Sequence, residues 1–366
     1  MTKTKVKVGI LTWHYYTNPG SALQCYALQT MLQTLGYNTH VINYRSPKFG
    51  ICKGFKFYIK NILFKFTLLT PALRKIVPNY NIIKFQRQYL KQTSIIQTNN
   101  KLTSTIQNYQ TIIYGSDQIW APNVFNPVYM GAYIPKNVKK IAYAASIGLN
   151  DIPDSLIPKY RTLLSTFHAI SVREKQGQEL LKEKCDINAT VVLDPTLMID
   201  IKMYQKMQKK VRISSKPYIF CYFLNKDHKY KDQILRYATI HQLNIIGISD
   251  APHDGEWMYR LQHIGADQFI WLINHASVVF TDSYHGAIFS LIFHKSLWIF
   301  KRFADNNPIC QNSRIDQLTE NFNIRDRIIS PQEHIIDTSP IDYQKFEEKL
   351  RLLQKQSYRY LINALK

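Results

Sequence analysis

No Cys-x-x-Cys pair occurs in this 366-residue chain, and none of its five cysteines (Cys25, Cys52, Cys185, Cys221, Cys310) stands at metal-ligand spacing from a histidine. Nothing in the pattern suggests a cysteine-based metal centre. No apolar run reaches the roughly 18 residues that span a bilayer. The start, MTKTKVKVGIL, has lysines but only a short apolar stretch and no small-residue cleavage site, so it reads as a first strand rather than a signal peptide. An odd cysteine count without an export signal points to reduced thiols and a cytoplasmic protein. Walker P-loop, G-x-G-x-x-G, G-x-S-x-G and H-E-x-x-H patterns are all missing, which argues against an ordinary kinase, dehydrogenase, α/β hydrolase or zincin.

Acidic residues are also scarce. Asp and Glu number 25 against 47 Lys and Arg, a formal net charge of +22. A field of that sign attracts anions: phosphorylated metabolites, anionic lipid headgroups or nucleic acid. General abundance of Lys, Asn, Ile and Tyr would produce the same charge without a dedicated partner. The aromatics are spread rather than set in a stacking motif, so no nucleic acid is expected. Hydrophobic residues make up 45% of the chain and charged ones 20%, a globular composition, and the length suits two domains.

The apolar pattern supplies the architecture. Val6–Leu11 is a strand, Thr17–Ser21 a turn cluster, Ala22–Leu35 a helix and Asn38–Tyr44 a strand, which together make a βαβ unit. Further strands follow at Thr111–Tyr114, Lys140–Ala145, Ala169–Val172 and Thr190–Leu193. Ser214-Ser215-Lys216-Pro217 marks a boundary, after which Tyr218–Tyr222, Asn244–Ile248 and Val278–Phe280 alternate with helical segments. The expected domains are 1–213, 214–335 and a C-terminal helical part, 336–366. Residues about 50–90 interleave aromatics, aliphatics and lysines, as one or two basic amphipathic helices would. Such an excursion either covers the domain core or makes peripheral contact with an anionic membrane, which would put the protein at the inner face.

Ligands of parallel α/β sheets bind beyond the carboxyl ends of the strands, so the polar strand ends are the candidates. Asn18 and Gly20 precede a helix whose first N–H groups suit an anion or hydroxyl, or else form a plain cap. Asp117, with Trp120 three residues on, has the chemistry of a sugar site: a carboxylate for hydroxyls and an indole for an apolar ring face. The other reading is an Asp capping a turn. Arg173 at a strand end is able to clamp a phosphate or carboxylate, or to pair with a nearby acid. In Thr281-Asp282-Ser283-Tyr284-His285-Gly286 a strand hands over to a helix. Ser283 or Asp282 caps that helix, His285 sits at its positive end, and Gly286 lets a ligand approach.

Taken in order, GILTWHYYTNPGSALQCYALQ, IIYGSDQIW, KIAYAASIG, SVREKQGQELL, VVLDPTLM, FTDSYHGAIFSLIF and NSRIDQL resemble the polysaccharide pyruvyl transferase family over roughly residues 6–320. The resemblance implies a GT-B-like α/β fold: two Rossmann-type parallel-sheet domains facing a cleft, closed by C-terminal helices. It implies transfer of pyruvate from phosphoenolpyruvate to a sugar of a cell-surface polysaccharide or its lipid-linked precursor, giving a cyclic ketal. No metal or other cofactor is implied. His285 and Arg173 match family residues linked to phosphoenolpyruvate. Members often carry an arginine two residues before the histidine. Here that position is Ser283, so the charge must come from Arg302, Arg314 or Lys301. On this reading Arg173 and Arg314 hold anionic groups, His285 handles the departing phosphate and Asp117 the acceptor hydroxyl. The competing reading is a GT-B-type glycosyltransferase that uses a nucleotide sugar.

Overall fold

The computed structural model of the protein describes residues 6–15, 18–45, 80–225, 230–249, 257–304, 307, 309–330, 335 and 339–366. The amphipathic excursion expected over about 50–90 therefore lies outside the described residues, except for its end from Tyr80 onward. The chain divides into two compact units: Met1–Ile147 and Asp151–Ile199 with Ser357–Lys366, and Gly148–Asn150 with Asp200–Gln356.

The first unit holds strands β1 (Lys7–Leu11), β2 (Asn38–Val41), β3 (Thr111–Gly115), β4 (Lys139–Ala145), β5 (Ala169–Val172) and β6 (Thr190–Val191). They form one sheet in the order β2-β1-β3-β4-β5-β6, parallel throughout. Every residue of β3 is buried, as expected of a strand covered on both faces. The helices are α1 (Pro19–Thr34), α2 (Tyr80–Tyr89), α3 (Asn99–Ile106), α4 (Ile157–Leu164) and α5 (Lys175–Cys185). α1 begins three residues earlier than its apolar spacing predicts. Pro19 occupies its first turn, and the Asn18 side chain accepts the Gly20 N–H at 2.7 Å. It also packs tightly on the sheet: a Cβ at Gly115 would stand 2.1 Å from Leu28 Cδ2, so any larger residue there would force Leu28 to move. Because the chain passes from β1 to β2 on one side and then to β3 on the other, a topological switch point lies between β1 and β3.

The second unit repeats the plan. Strands β7 (Tyr218–Phe223), β8 (Asn244–Ser249), β9 (Tyr259–Arg260), β10 (Val278–Thr281), β11 (Ser296–Phe300) and β12 (Ile328–Ile329) form a parallel sheet ordered β12-β11-β10-β7-β8-β9. Its switch point lies between β7 and β10. The helices are α6 (Ile201–Met207), α7 (Lys231–His241), α8 (Ala266–His275), α9 (Tyr284–Ile292) and α10 (Ser313–Asn321). α9 is buried along its whole length, as an all-round apolar helix must be. Ile219, Cys221, Phe280 and Trp298 belong to this unit's core, and Ile112, Tyr114, Trp120 and Tyr160 to the first unit's.

One long helix, α11 (Tyr343–Leu365), ends the chain. Its final residues are fastened within the first unit. Ser357 Oγ accepts the Leu193 N–H at 3.0 Å, and the Tyr358 and Tyr360 hydroxyls donate to the carbonyls of Met198 (2.9 Å) and Ala142 (2.8 Å).

Candidate functional site

Each unit gathers its polar strand ends around its own switch point. In the second unit Asp282 follows β10 and reaches across to the end of β7. Its two carboxylate oxygens accept the N–H groups of Leu224 (2.7 Å) and Asn225 (2.8 Å). Burial pushes the Asp282 pKa up, opposed by those two N–H groups and by the charge of Arg302. Next to it, Thr281 Oγ1 donates to the Tyr222 carbonyl at 2.6 Å and accepts the Ser283 N–H at 3.0 Å. Ser283 is the N-cap of α9, its hydroxyl oxygen accepting from Gly286 at 3.4 Å. His285 occupies the first turn, 7% exposed, with its ring edge-on to Tyr284 at 5.4 Å between centroids. Gly286 has a structural reason of its own. A Cβ there would stand 2.4 Å from Thr281 Oγ1, so the glycine makes room for the strand end.

A shallow pocket opens beside this turn, lined by Tyr284, Lys301, Arg302, Gln311 and Arg314 together with Asp282 and Asp316. Gln311 Oε1 accepts from Arg302 Nη2 at 2.9 Å and from Arg314 Nη2 at 2.8 Å. Arg314 also lies over the Tyr284 ring, 5.9 Å from its centroid. Burial lowers the Arg302 pKa, with the Asp282 charge opposing. A second shallow pocket shares Asp282, Lys301 and Arg302 but is walled by Phe223, Tyr230 and Trp257.

In the first unit the switch point is bridged by a hydrogen bond from Ser21 Oγ, in the first turn of α1, to Asp117 Oδ2 at 2.6 Å. Asp117 Oδ1 accepts the Gln118 N–H at 2.9 Å. Its backbone is left-handed, φ 77°, a conformation Asp tolerates better than most residues. Next to it, Ser116 donates to Asp194 at 2.8 Å. Arg173 is 3% exposed, and its guanidinium pairs with Glu174 (Nε–Oε1, 3.0 Å) and Asp194 (Nη1–Oδ2, 2.8 Å). Asp194 additionally accepts from the Thr196 N–H and hydroxyl at 2.9 and 2.6 Å.

The structure thus brings Ser283, His285 and Arg314 to one end of the second sheet, and Asn18, Gly20, Asp117 and Arg173 to the strand ends of the first. Trp120 and Arg173 also take up other partners than a ligand. Trp120 is 1% exposed, its indole N–H donating to the Tyr129 carbonyl at 2.9 Å, so its ring packs the core instead of covering a sugar. Arg173 takes the ion-paired alternative. At Gly20 the N–H is already taken by Asn18, which is the plain cap. Reasoning from sequence missed Ser21, Ser116, Thr196 and Gln311. Their only signal was proximity to the motifs: Ser21 and Ser116 work through partners far along the chain, Thr196 through its neighbour Asp194, and Gln311 through Arg302 and Arg314. Among the described residues no group of three His, Cys, Asp or Glu side chains is placed to hold a metal ion, and no helix is long and apolar enough to cross a membrane.

Two doubly wound parallel sheets, one per unit and each with its polar groups at a switch point, define a GT-B-like α/β protein. Solved structures agree on the fold. A UDP-N-acetylglucosamine 2-epimerase of Rickettsia bellii is 10% identical, with 98% of this chain and 97% of that one covered and a TM-score of 0.51. The UDP-GlcNAc 2-epimerase of Neisseria meningitidis bound to UDP-GlcNAc is 10% identical, with 98% and 93% covered and a TM-score of 0.50. At such identity the likeness is one of fold alone. No curated protein sequence matches the chain. The family profile named Polysaccharide pyruvyl transferase matches residues 18–301, and the chain belongs to this enzyme family.

Proposed function

We propose that the protein transfers pyruvate from phosphoenolpyruvate onto a sugar of a cell-surface polysaccharide or its lipid-linked precursor, forming a cyclic ketal. The observation that carries this reading is the family match over residues 18–301. Supporting it, His285 stands in the first turn of α9 at a switch point, beside a pocket lined by Lys301, Arg302 and Arg314.

The chemistry needs an acid, a base and cationic clamps. A proton adds to the methylene carbon of the enol phosphate, leaving an oxocarbenium-like centre at the carbon that bears the phosphate. A sugar hydroxyl attacks that centre and gives its proton to a base. The C–O bond to phosphate then breaks, and a second hydroxyl of the same sugar adds to close the ring and gives up its proton. Phosphoenolpyruvate and a diol become a ketal and inorganic phosphate. His285 protonates or hydrogen-bonds the departing phosphate, helped by the positive end of α9. Asp117 orients the acceptor hydroxyl. Ser21, which donates to it at 2.6 Å, fixes that carboxylate as a positioning residue.

The test is incubation of the full chain with phosphoenolpyruvate and a lipid-linked sugar. Phosphate release and a product heavier by about 70 Da, the mass of the ketal-forming pyruvyl group, are expected. His285→Ala should slow release by about 10²- to 10⁴-fold, the ordinary worth of a general acid. Undiminished release by that variant would remove His285 from the mechanism.

A further inference from the structure

Charge is unevenly placed along the chain. Its first acidic residue is Asp117, so residues 1–116 contain lysines and arginines but no aspartate or glutamate. The acids of the first unit that follow are taken up elsewhere. Asp117 lies against Ser21, and Glu174 and Asp194 flank Arg173. Glu179 pairs with Lys175, Asp186 with Lys182, and Asp151 and Asp154 with Lys184. Glu183 stands between Lys182 and Lys184 in the last turn of α5. Lysines, by contrast, mark the edge where the parallel strands begin. Lys7 opens β1, Lys139 and Lys140 open β4, and Lys136 stands in the turn just before β4. Lys91 reaches the first residue of β2, its Nζ donating to Asn38 Oδ1 at 3.0 Å. None of β1 to β4 contains an acid, and among the described residues no carboxylate pairs with any of the five lysines. Lys7 and Lys140 lie over the rings of Tyr109 (4.7 Å) and Phe167 (5.8 Å), contacts that hold an ammonium without cancelling its charge. α1 and α3 end toward this edge, each with about half a negative charge, too little to offset five cations. The field is felt inside β2, where burial, and then the charges of Lys91 and Lys7, lower the His40 pKa.

We infer that this strand-start edge is a docking face for an anionic lipid bilayer, with Lys7, Lys91, Lys136, Lys139 and Lys140 as its charged contacts. The four neighbouring strands β2-β1-β3-β4 spread the cations over a row about 14 Å wide, so they cover a surface rather than converge on one small anion. All five are lysines, point charges without the bidentate fork of arginine, which suits mobile headgroups. Val6, 46% exposed beside Lys7, and Tyr133, 47% exposed in the loop leading into β4, offer apolar surface to the headgroup boundary. One exposed ring is not the series of stacking platforms that a single-stranded nucleic acid uses. The face lies at the opposite end of the first sheet from Asp117 and Arg173, so docking and the candidate site do not compete for residues. It draws on no part of the amphipathic stretch before Tyr80 and does not rest on the pyruvyl transfer reading.

The test is co-sedimentation of the full chain with phosphatidylcholine vesicles containing about one third phosphatidylglycerol, and with phosphatidylcholine alone. Wild type is expected to bind the anionic vesicles, to ignore the neutral ones, and to be released as salt shortens the screening length. Combining Lys7→Gln, Lys91→Gln, Lys139→Gln and Lys140→Gln should weaken binding by about 10²- to 10³-fold, at about five-fold per lysine. Arginine at the same four positions should preserve it. A control combining Lys159→Gln, Lys175→Gln, Lys182→Gln and Lys184→Gln removes the same charge from the first unit away from β1 to β4, and should cost less than about ten-fold. Melting temperatures show that each variant is folded. Lys91→Glu with Lys139→Glu shifts the charge equally while leaving the Lys7 and Lys140 ring contacts in place, and should also release the protein from vesicles. Equal losses in the two glutamine sets would make net charge, not this face, responsible and overturn the inference. Undiminished vesicle binding by the folded first set overturns it too, as does a wild type that binds a single-stranded oligonucleotide but neither vesicle.

Discussion

Arg173 illustrates how strongly a single buried charge depends on its partners. Glu174 and Asp194 are 2% and 1% exposed, and each has an oxygen against the Arg173 guanidinium. Arg173→Ala would leave two carboxylates buried without their counter-charge, a loss of about 3–5 kcal/mol. Urea unfolding of the variant checks this, and a loss below 1 kcal/mol would mean the triad is not held as described. His14 carries the pH dependence. It is fully buried, its ring nitrogens 3.0 Å from the Thr12 carbonyl and 3.3 Å from Asn43 Oδ1. Burial lowers its pKa from 6.5 to about 4, Arg45 adds to the effect, and the two hydrogen bonds oppose it. The unfolded chain thus binds a proton that the folded chain refuses between those values. Its contribution is complete above about pH 6.5 and falls away toward pH 4, by about 3 kcal/mol in all. Asp282, with its pKa raised, acts in the opposite sense, stabilising the fold most when protonated. Unfolding measured from pH 7 to 4.5 should show a slope that flattens in His14→Gln; an unchanged slope would put the titration elsewhere. Pairing of Arg173 with a nearby acid was one of two readings open in the sequence, but its long-range partners were not legible. Arg173 meets residues 21 and 57 positions away, and a strand-end arginine looks the same whether its partner is a ligand or an acid.

At the scale of elements, the junction of β10 and α9 carries the most information. Thr281, Ser283 and Gly286 interlock: the threonine hydroxyl ties β10 to β7, receives the Ser283 N–H, and occupies the space a Gly286 side chain would need. Gly286→Ala should therefore destabilise the second unit by about 1–3 kcal/mol through overpacking. A melting temperature equal to wild type would show that Thr281 moves aside freely. The apolar strands β1, β3, β4, β5, β7, β8 and β10 were readable because each is a short apolar run stopped by polar residues. β9 and β12 were not, because as two-residue strands they carry no periodicity and, unlike the equally short β6, are not set within an apolar run of greater length. Trp120 misled for a related reason. A residue just past a strand end suggests exposure, yet its backbone N–H donates to the Ser146 carbonyl at 3.2 Å and its indole N–H to the Tyr129 carbonyl within the core.

For the whole molecule, two switch points, one per unit, each bridged by an aspartate, provide the framework on which the family's chemistry is proposed to run. The family was legible because its motifs are the strand ends themselves, spaced along the chain in fixed order. The residues that gather charge at Gln311 were not, because Arg302 and Arg314 come together only once the loop after β11 returns toward α10. The central claim is the donor. Mixing the purified full chain with phosphoenolpyruvate and a lipid-linked sugar, and weighing the product, tests it most directly. The account predicts a sugar heavier by about 70 Da with one phosphate released per ketal. A product formed from a nucleotide sugar, with phosphoenolpyruvate left intact, would contradict it.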